Sequence, residues 1–354
     1  MRPKIAVIAP SMEIPGGQAV QARALVGGLR GEGYEVRFIA TNPRFFRGLQ
    51  WLRRYPYART VLNEALYLSS LLDLRRGDVA HVFSASYWSF LLAPVPAILM
   101  ARRFGKRIVL NYHSGEAEDH LARWGMFVHR WLRLVDEIVV PSECLRGVFA
   151  RHGYRARVIP NVVDTSRFRY RERAFRQPRL LSARNLEPHY RVDDTVEAFA
   201  LVKTRYPEAT LTIAGSGSEE RRLRRMAASI GLDGIRFVGR VDPAAMPGLY
   251  DEADIFVNSS VIDNQPVSVL EAFAAGLPVV STATGDIAAM VRDGETGLTI
   301  PPGDPGAMAK AVASLLEDPE RALAISRCAR REVEKHTWSH VRDLWAAAYS
   351  GGAA

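Results

Sequence analysis

The feature that most narrows the fold of this chain is one pattern that recurs along it: short apolar runs alternating with segments of helical period. Residues 4–9 form an apolar run, 19–30 have helix-like spacing ended by Gly31 and Gly33, and 35–40 are strand-like again. That opening is a βαβ unit, which requires a parallel sheet. Further strands are predicted at 79–83, 107–111 and 137–140. A second series follows, with strands at 180–183, 210–214, 235–238, 255–258 and 278–281 and helices at 195–206, 219–230 and 268–275. Between the series lies RYRERAFRQP, polar and closed by Pro178, which reads as an interdomain linker. The expected division is a first Rossmann-like domain over 1–172, a second over 173–335, and a C-terminal helix over 336–354 returning to the first. A length of 354 residues suits two such α/β domains.

Composition excludes several classes. The most apolar stretch, 88–100, is broken by Pro94 and Pro96 and falls short of the roughly 20 residues a spanning helix needs. MRPKIAVIAP runs straight into a strand-like segment, so no signal peptide is expected. Cys144 and Cys328 stand far apart and outside any metal spacing, so neither a disulfide framework nor a zinc site is indicated and a cytoplasmic setting is expected. The net charge of +9 hides an asymmetry: residues 1–177 hold 28 Lys and Arg against 14 Asp and Glu, a balance of +14, and the remainder holds 19 against 24, a balance of −5. A basic half suits an anionic surface or acceptor, although a merely solvated basic face gives the same count.

In doubly wound sheets, ligands bind beyond the carboxyl ends of the strands, so functional motifs should fall on those loops. Gly16 and Gly17 follow the first strand and open a helix; they allow close backbone approach of a phosphate, and equally a tight turn. A more specific constellation is Asp263-Asn264-Gln265-Pro266-Val267-Ser268-Val269-Leu270-Glu271. A carboxylate at Glu271 can accept from vicinal ribose hydroxyls, and the free amides near Val267 and Ser268 can hold a diphosphate. Spacing alone favours Asp263 as a loop acid and Glu271 as an exposed helical residue. His113, after the strand 107–111, taken alone reads as a hydrogen-bonded loop histidine.

The C-terminal half resembles glycosyltransferase family 4, retaining enzymes of the GT-B fold. The resemblance rests on NSSVIDNQPVSVLEAFAAGLPVVST at 258–282, VIPNVVDTSRF at 158–168, IAGSGSEERRLRRMAASIGLDGIRFVGRV at 213–241 and DGETGLTIPPGD at 293–304, and it extends more thinly over nearly the whole chain. It implies two Rossmann-like domains facing a central cleft, with the C-terminal helix packing back on the first. It implies that Glu271 binds the ribose and that Asp263 takes the place of a glutamate facing the transferred sugar. Asp is one methylene shorter, and Asn264 and Gln265 stand where Gly-Phe is usual. Arg184 in SARNLEPHYR matches an arginine expected at the diphosphate; the lysine that usually follows is missing, with Arg191, His189 and Tyr190 as candidate substitutes. His113 matches a histidine that contacts the transferred sugar. His81, Ser84 and Glu116 are acceptor-side candidates.

The implied activity is retaining transfer of a hexosyl unit from a UDP- or GDP-sugar to a saccharide or lipid-linked acceptor, with Arg184, Asp263 and His113 at the reaction centre. No Asp-x-Asp pair occurs, so no metal or other cofactor is expected. A nucleotide-sugar epimerase of similar shape and a catalytically silent nucleotide-sugar binding protein are the alternatives. Nucleic acid is not an expected partner, because no base-reading motif appears. An anionic membrane is: PRFFRGLQWLRRYPYAR at 43–59 interleaves aromatics with arginines, which suits peripheral attachment to the inner face of the cytoplasmic membrane.

Overall fold

The computed structural model describes residues 2–12, 16–43, 51, 54–173 and 178–352. The chain divides into two compact units, Met1–Pro160 with Val341–Ala354, and Asn161–His340.

The first unit is built on a six-stranded sheet of β1 (Ile5–Ala9), β2 (Val36–Ala40), β3 (Val79–Ser84), β4 (Arg107–Tyr112), β5 (Glu137–Val140) and β6 (Arg157–Val158). The order is β2-β1-β3-β4-β5-β6 and every recorded pairing is parallel. Helices cover both faces, which is why IAVIA of β1 and VAHVFS of β3 are buried at every position. Order reverses between β1 and β3, so the loops after those strands open the crevice of this unit.

The second unit has β7 (Arg179–Ala183), β8 (Thr210–Ala214), β9 (Ile235–Gly239), β10 (Ile255–Asn258), β11 (Val279–Thr282) and β12 (Leu298–Ile300) in the order β12-β11-β10-β7-β8-β9, again all parallel. Its switch point lies between β7 and β10. Arg179 at the start of β7 donates both Nε and Nη2 to Asp254, at 2.7 and 2.9 Å, and so ties the amino ends of those two parallel strands together, away from the switch-point loops. Local signals set the helices that follow. Asp304 and Asp318 accept from the amides of Ala307 and Arg321, and Pro305 and Pro319 occupy the first helical positions, where a missing N–H costs nothing.

The units separate after Pro160, not after 172 as the polar composition of 169–178 suggests. Residues 161–173 are bound into the second unit: the Val163 amide donates to the His336 carbonyl at 2.9 Å, Phe168 meets Tyr250 edge-on, and buried Arg173 donates to the carbonyl of Tyr250. Arg171 and Arg173, read as linker charge, are thus backbone clamps, while 174–177 of that segment lie outside the described residues. At the other end, residues from Val341 onward belong to the first unit, while 336–340 of the segment expected to return lie with the second. Trp345 and Tyr349 are buried there, and Arg107 and Arg157 donate to the carbonyls of Ala348 and Gly352 at 3.0 and 2.7 Å.

Candidate active site

Arg184 leaves the end of β7 and Asp263 lies in the loop after β10, the two strands that flank the switch point of the second unit. There the side chains form an ion pair between Arg184 Nη2 and Asp263 Oδ2, both largely buried. Arg184 Nη1 also donates to Ser268 Oγ at 3.4 Å, and the guanidinium lies over the Tyr190 ring at 4.1 Å. Asp263 Oδ1 accepts from the Asn264 amide at 2.9 Å. A cation from one strand end and an anion from its neighbour are therefore held rigidly beside the first residues of the helix Val267–Ala275.

That helix starts without a side-chain cap, since Pro266 precedes it and can offer none. Its leading amides stay available, and the helix dipole favours an anion in front of them. Two buried donors nearby, Arg184 Nε and Asn264 Nδ2, have no partner within the protein. Each such group costs about 1–3 kcal/mol until an acceptor meets it. The backbone is shaped to the same end. A Cβ at Gly215, whose φ is +150°, would stand 1.8 Å from the Arg184 carbonyl oxygen, and one at Gly285, at φ +53°, would stand 1.9 Å from that of Asp263. Both loops that carry the ion pair are thus seated on glycines.

Glu271 is one helical turn further on and half-buried, not exposed as its spacing suggests. The Tyr250 hydroxyl, fully enclosed, donates to Glu271 Oε2 at 2.8 Å and reaches the Ser268 carbonyl at 3.2 Å. Burial raises the carboxyl to about 7, and the Tyr250 hydrogen bond and the Arg167 charge partly offset that rise. Beneath the site, the ends of β10 and β11 carry a buried chain of hydrogen bonds: Asn258 Nδ2 to Ser281 Oγ, Ser260 Oγ to Asn258 Oδ1 and Thr284 Oγ1 to the Ser260 carbonyl.

Two residues assigned to the donor go elsewhere in this structure. The Gln265 carboxamide oxygen accepts from the Asn161 amide at 2.5 Å and its backbone carbonyl accepts from Asn161 Nδ2 at 2.8 Å, so the side chain ties the loop to residue 161. Arg191, in the left-handed conformation at φ 46°, pairs with Asp194 at 2.6 Å and Asp193 at 3.4 Å in the first turn of the next helix. Tyr190 is the neighbour that Arg184 meets, with His189 against it at 4.1 Å.

In the first unit, Gly16 is the residue before the helix Gly17–Gly31, and Gln18 Nε2 donates to the Ser84 carbonyl at 3.1 Å across the β1–β3 switch. Neither glycine lies in the left-handed region, Gly16 being extended at φ 171°, and a Cβ on either would meet nothing within 4 Å. The turn itself does not require them. His113 follows β4, stacks on Phe83 at 5.3 Å and an 11° interplanar angle, and has a buried Nε2 without a partner. Burial lowers it to about 4, so the ring is neutral at ordinary pH. His81 is not available to an acceptor: it is fully buried between the Tyr349 hydroxyl at 2.9 Å and Asn111 at 3.2 Å. Ser84 is likewise buried, whereas Glu116 is exposed.

Sequence reasoning did not single out Tyr250, Asn161 or Gly285. Gly215 and Gly217 were visible as the turn of IAGSGSEE, but Tyr250 stands twenty-one positions from Glu271 and carries no local mark of that partnership.

Two parallel sheets of this order with a site at the switch point define a two-domain α/β protein of the GT-B class, and comparison with known proteins agrees. Residues 166–332 match the family described as Glycosyl transferases group 1, and residues 15–167 match Glycosyltransferase Family 4. Glycogen synthase of Mycobacterium tuberculosis is 31% identical over 293 residues, 77% of this chain and 69% of that protein. Phosphatidyl-myo-inositol mannosyltransferase of Mycobacterium leprae is 26% identical over 96% of this chain and 94% of its own. Among solved structures, HepE of Anabaena in complex with UDP-glucose superposes with a TM-score of 0.78 at 16% identity, covering 99% of this chain and 100% of that one. The chain belongs to glycosyltransferase family 4 and is a glycosyltransferase.

Proposed function

We propose that the enzyme transfers a hexosyl unit with retention from a UDP- or GDP-sugar to a saccharide or lipid-linked acceptor, without a divalent metal. The observation that carries this reading is the buried Arg184–Asp263 pair at the β7/β10 switch, set against an uncapped helix start and followed one turn later by Glu271. The ribose hydroxyls donate to Glu271. The diphosphate accepts from Arg184, Asn264 and the amides of Val267 and Ser268, and Asp263 receives the sugar hydroxyls. Gly16 and Gly17 leave open backbone that a phosphate can approach, and the neutral His113 offers Nε2 to the transferred sugar.

In the step itself the bond between the anomeric carbon and the phosphate oxygen breaks, and the departing phosphate takes the proton of the acceptor hydroxyl. That hydroxyl oxygen bonds to the anomeric carbon on the same face, so configuration is kept. Arg184 and the helix amides stabilise the developing charge, commonly the largest contribution in such reactions. Among the described residues there is no cluster of three His, Cys, Asp or Glu side chains that could hold a metal. Peripheral attachment to an anionic membrane belongs to the same reading. The relative from Mycobacterium leprae is named for a lipid acceptor, and among the described residues no helix is long and apolar enough to cross a bilayer. Residues 44–50, 52 and 53 of the basic aromatic segment lie outside the described residues.

A melting screen against UDP- and GDP-sugars, followed by product analysis with and without acceptor, tests this function. One nucleotide class should raise the melting temperature, and the product should keep the donor's anomeric configuration. No shift with any nucleotide sugar, or a changed sugar formed without acceptor, would overturn it, the latter in favour of an epimerase.

A further inference from the structure

The helix Pro56–Ser70 of the first unit is apolar on two sides. Its inner side carries Tyr67, fully buried, whose hydroxyl donates to the Ala93 carbonyl at 2.7 Å, and continues into buried Leu71 and Leu74 of the following 3-10 turn. Its outer side carries Tyr57, Val61 and Leu68, exposed at 90, 71 and 45%, and Leu72 of the following 3-10 turn is exposed at 47%. Steps of four and seven residues place Tyr57, Val61 and Leu68 on one stripe of the helix, with exposed Ala65 between them, and Leu72 follows just beyond its end. Just before the helix, exposed Trp51 and Tyr55 meet edge-on at 6.2 Å. Isolated exposed apolar residues are ordinary, but a stripe of helical period continued by an aromatic pair is the mark of an interface.

Charge decides what fits it. Exposed Arg54 stands before the stripe and exposed Arg75 and Arg76 stand after it, Arg76 at 3.7 Å from exposed Asp73. The unit that bears it holds 24 Lys and Arg against 13 Asp and Glu, a balance of +11, while the other unit holds 23 against 25, a balance of −2. An apolar stripe bounded by arginines and opened by aromatics suits the boundary between lipid chains and anionic headgroups, where arginine stems lie along the apolar layer and their heads meet phosphate. The same helix also supplies Arg59, Thr60, Asn63 and Glu64 to a cavity of about 620 Å³, whose far wall includes Phe83 and Leu92.

We propose that the outer face of the helix Pro56–Ser70, with the start of the turn after it, docks this protein on an anionic bilayer, with Tyr57, Val61, Leu68 and Leu72 inserted. This rests on the transferase reading above and selects within it: the acceptor is lipid-linked and comes to the first unit from the membrane, beside the cavity that this helix walls.

The test is co-sedimentation of the full chain with phosphatidylcholine vesicles, with and without phosphatidylglycerol. Binding is expected only to the anionic vesicles, weakening as salt rises. Val61→Asp combined with Leu68→Asp, both on exposed positions, should cut the bound fraction by roughly tenfold or more. The same variant should keep its melting temperature and its stabilisation by the nucleoside diphosphate that the wild type prefers. Absence of binding to anionic vesicles, or equal binding by the double variant, would overturn the proposal. So would a dimer that the substitutions dissociate while leaving sedimentation unchanged, which would make the stripe a contact between copies. Loss of nucleotide stabilisation in the wild type would count against the donor reading instead, since it does not involve this face.

Discussion

Replacing Tyr250 by Phe removes one oxygen and leaves the ring in place, edge-on to Phe168 at 5.5 Å and stacked on Phe256 at 5.9 Å. What is lost is the hydroxyl that donates to Glu271 Oε2 at 2.8 Å. A hydrogen bond to a charged acceptor contributes about 1.5–3 kcal/mol, and one pKa unit corresponds to about 1.4 kcal/mol. The Glu271 carboxyl, already raised by burial to about 7, should therefore rise by a further ~1–2 units. Because the folded value lies above the unfolded one near 4.5, the folded state holds the proton more tightly. Stability thus falls as pH rises from about 4.5 and levels off above about 7; in the variant the loss should be larger and level off higher. Ribose hydroxyls donate well only to the ionised carboxylate, so nucleoside diphosphate affinity should increase with pH through about 7 in the wild type. In Tyr250→Phe the same rise should be centred near pH ~8–9, so that binding weakened at neutral pH recovers in alkali. Calorimetric titration of UDP and GDP between pH ~5.5 and ~9.5, with Glu271→Gln alongside, measures this. The neighbouring charges, Arg167 facing Glu271 and Arg184 facing Tyr250, remain in place throughout and act alike in both proteins. An unmoved pH profile in Tyr250→Phe, with binding lost in Glu271→Gln, would reduce Tyr250 to packing. Wild-type affinity in Glu271→Gln would sink the ribose assignment itself.

Arg184→Ala should lower turnover by ~10²-fold or more, since it removes the cation at the diphosphate and leaves the Asp263 carboxylate unpaired. Activity of the wild type should survive excess EDTA; a loss restored by magnesium or manganese would point to a metal site instead. Gly215→Ala should destabilise the protein by ~2–4 kcal/mol in urea titrations, because the new Cβ meets the Arg184 carbonyl at 1.8 Å. Gly16→Ala, where a Cβ meets nothing within 4 Å, should leave stability within about 0.5 kcal/mol yet raise the donor KM. An unchanged KM would show that no phosphate approaches that turn.

The amino-acid sequence by itself determined the alternating α/β order, the position of most strands and the identity of the helix that carries Ser268 and Glu271. Those are matters of local period and of residues that start or stop helices, and a window of ten or so positions contains them. The resemblance to a known family, carried by 258–282 for Asp263 and Glu271 and by SARNLEPHYR at 182–191 for Arg184, named the three together. It could not show that Arg184 and Asp263 bind each other, because that contact depends on β7 and β10 being neighbours, and strand order is settled by packing across the whole sheet. The polar stretch 169–178 read as a linker because arginines are usually solvated; only the fold revealed carbonyls of Tyr250 and Ala253 close enough to bind Arg173. Gln265 looked free to meet a donor until Asn161 occupied it, and Glu271, which spacing alone leaves exposed, is half-buried with Tyr250 donating to it. Burial and partnership are properties of residues brought together from distant positions, so the tertiary structure alone decided which candidates are anchored within the protein and which keep a buried polar atom without a protein partner.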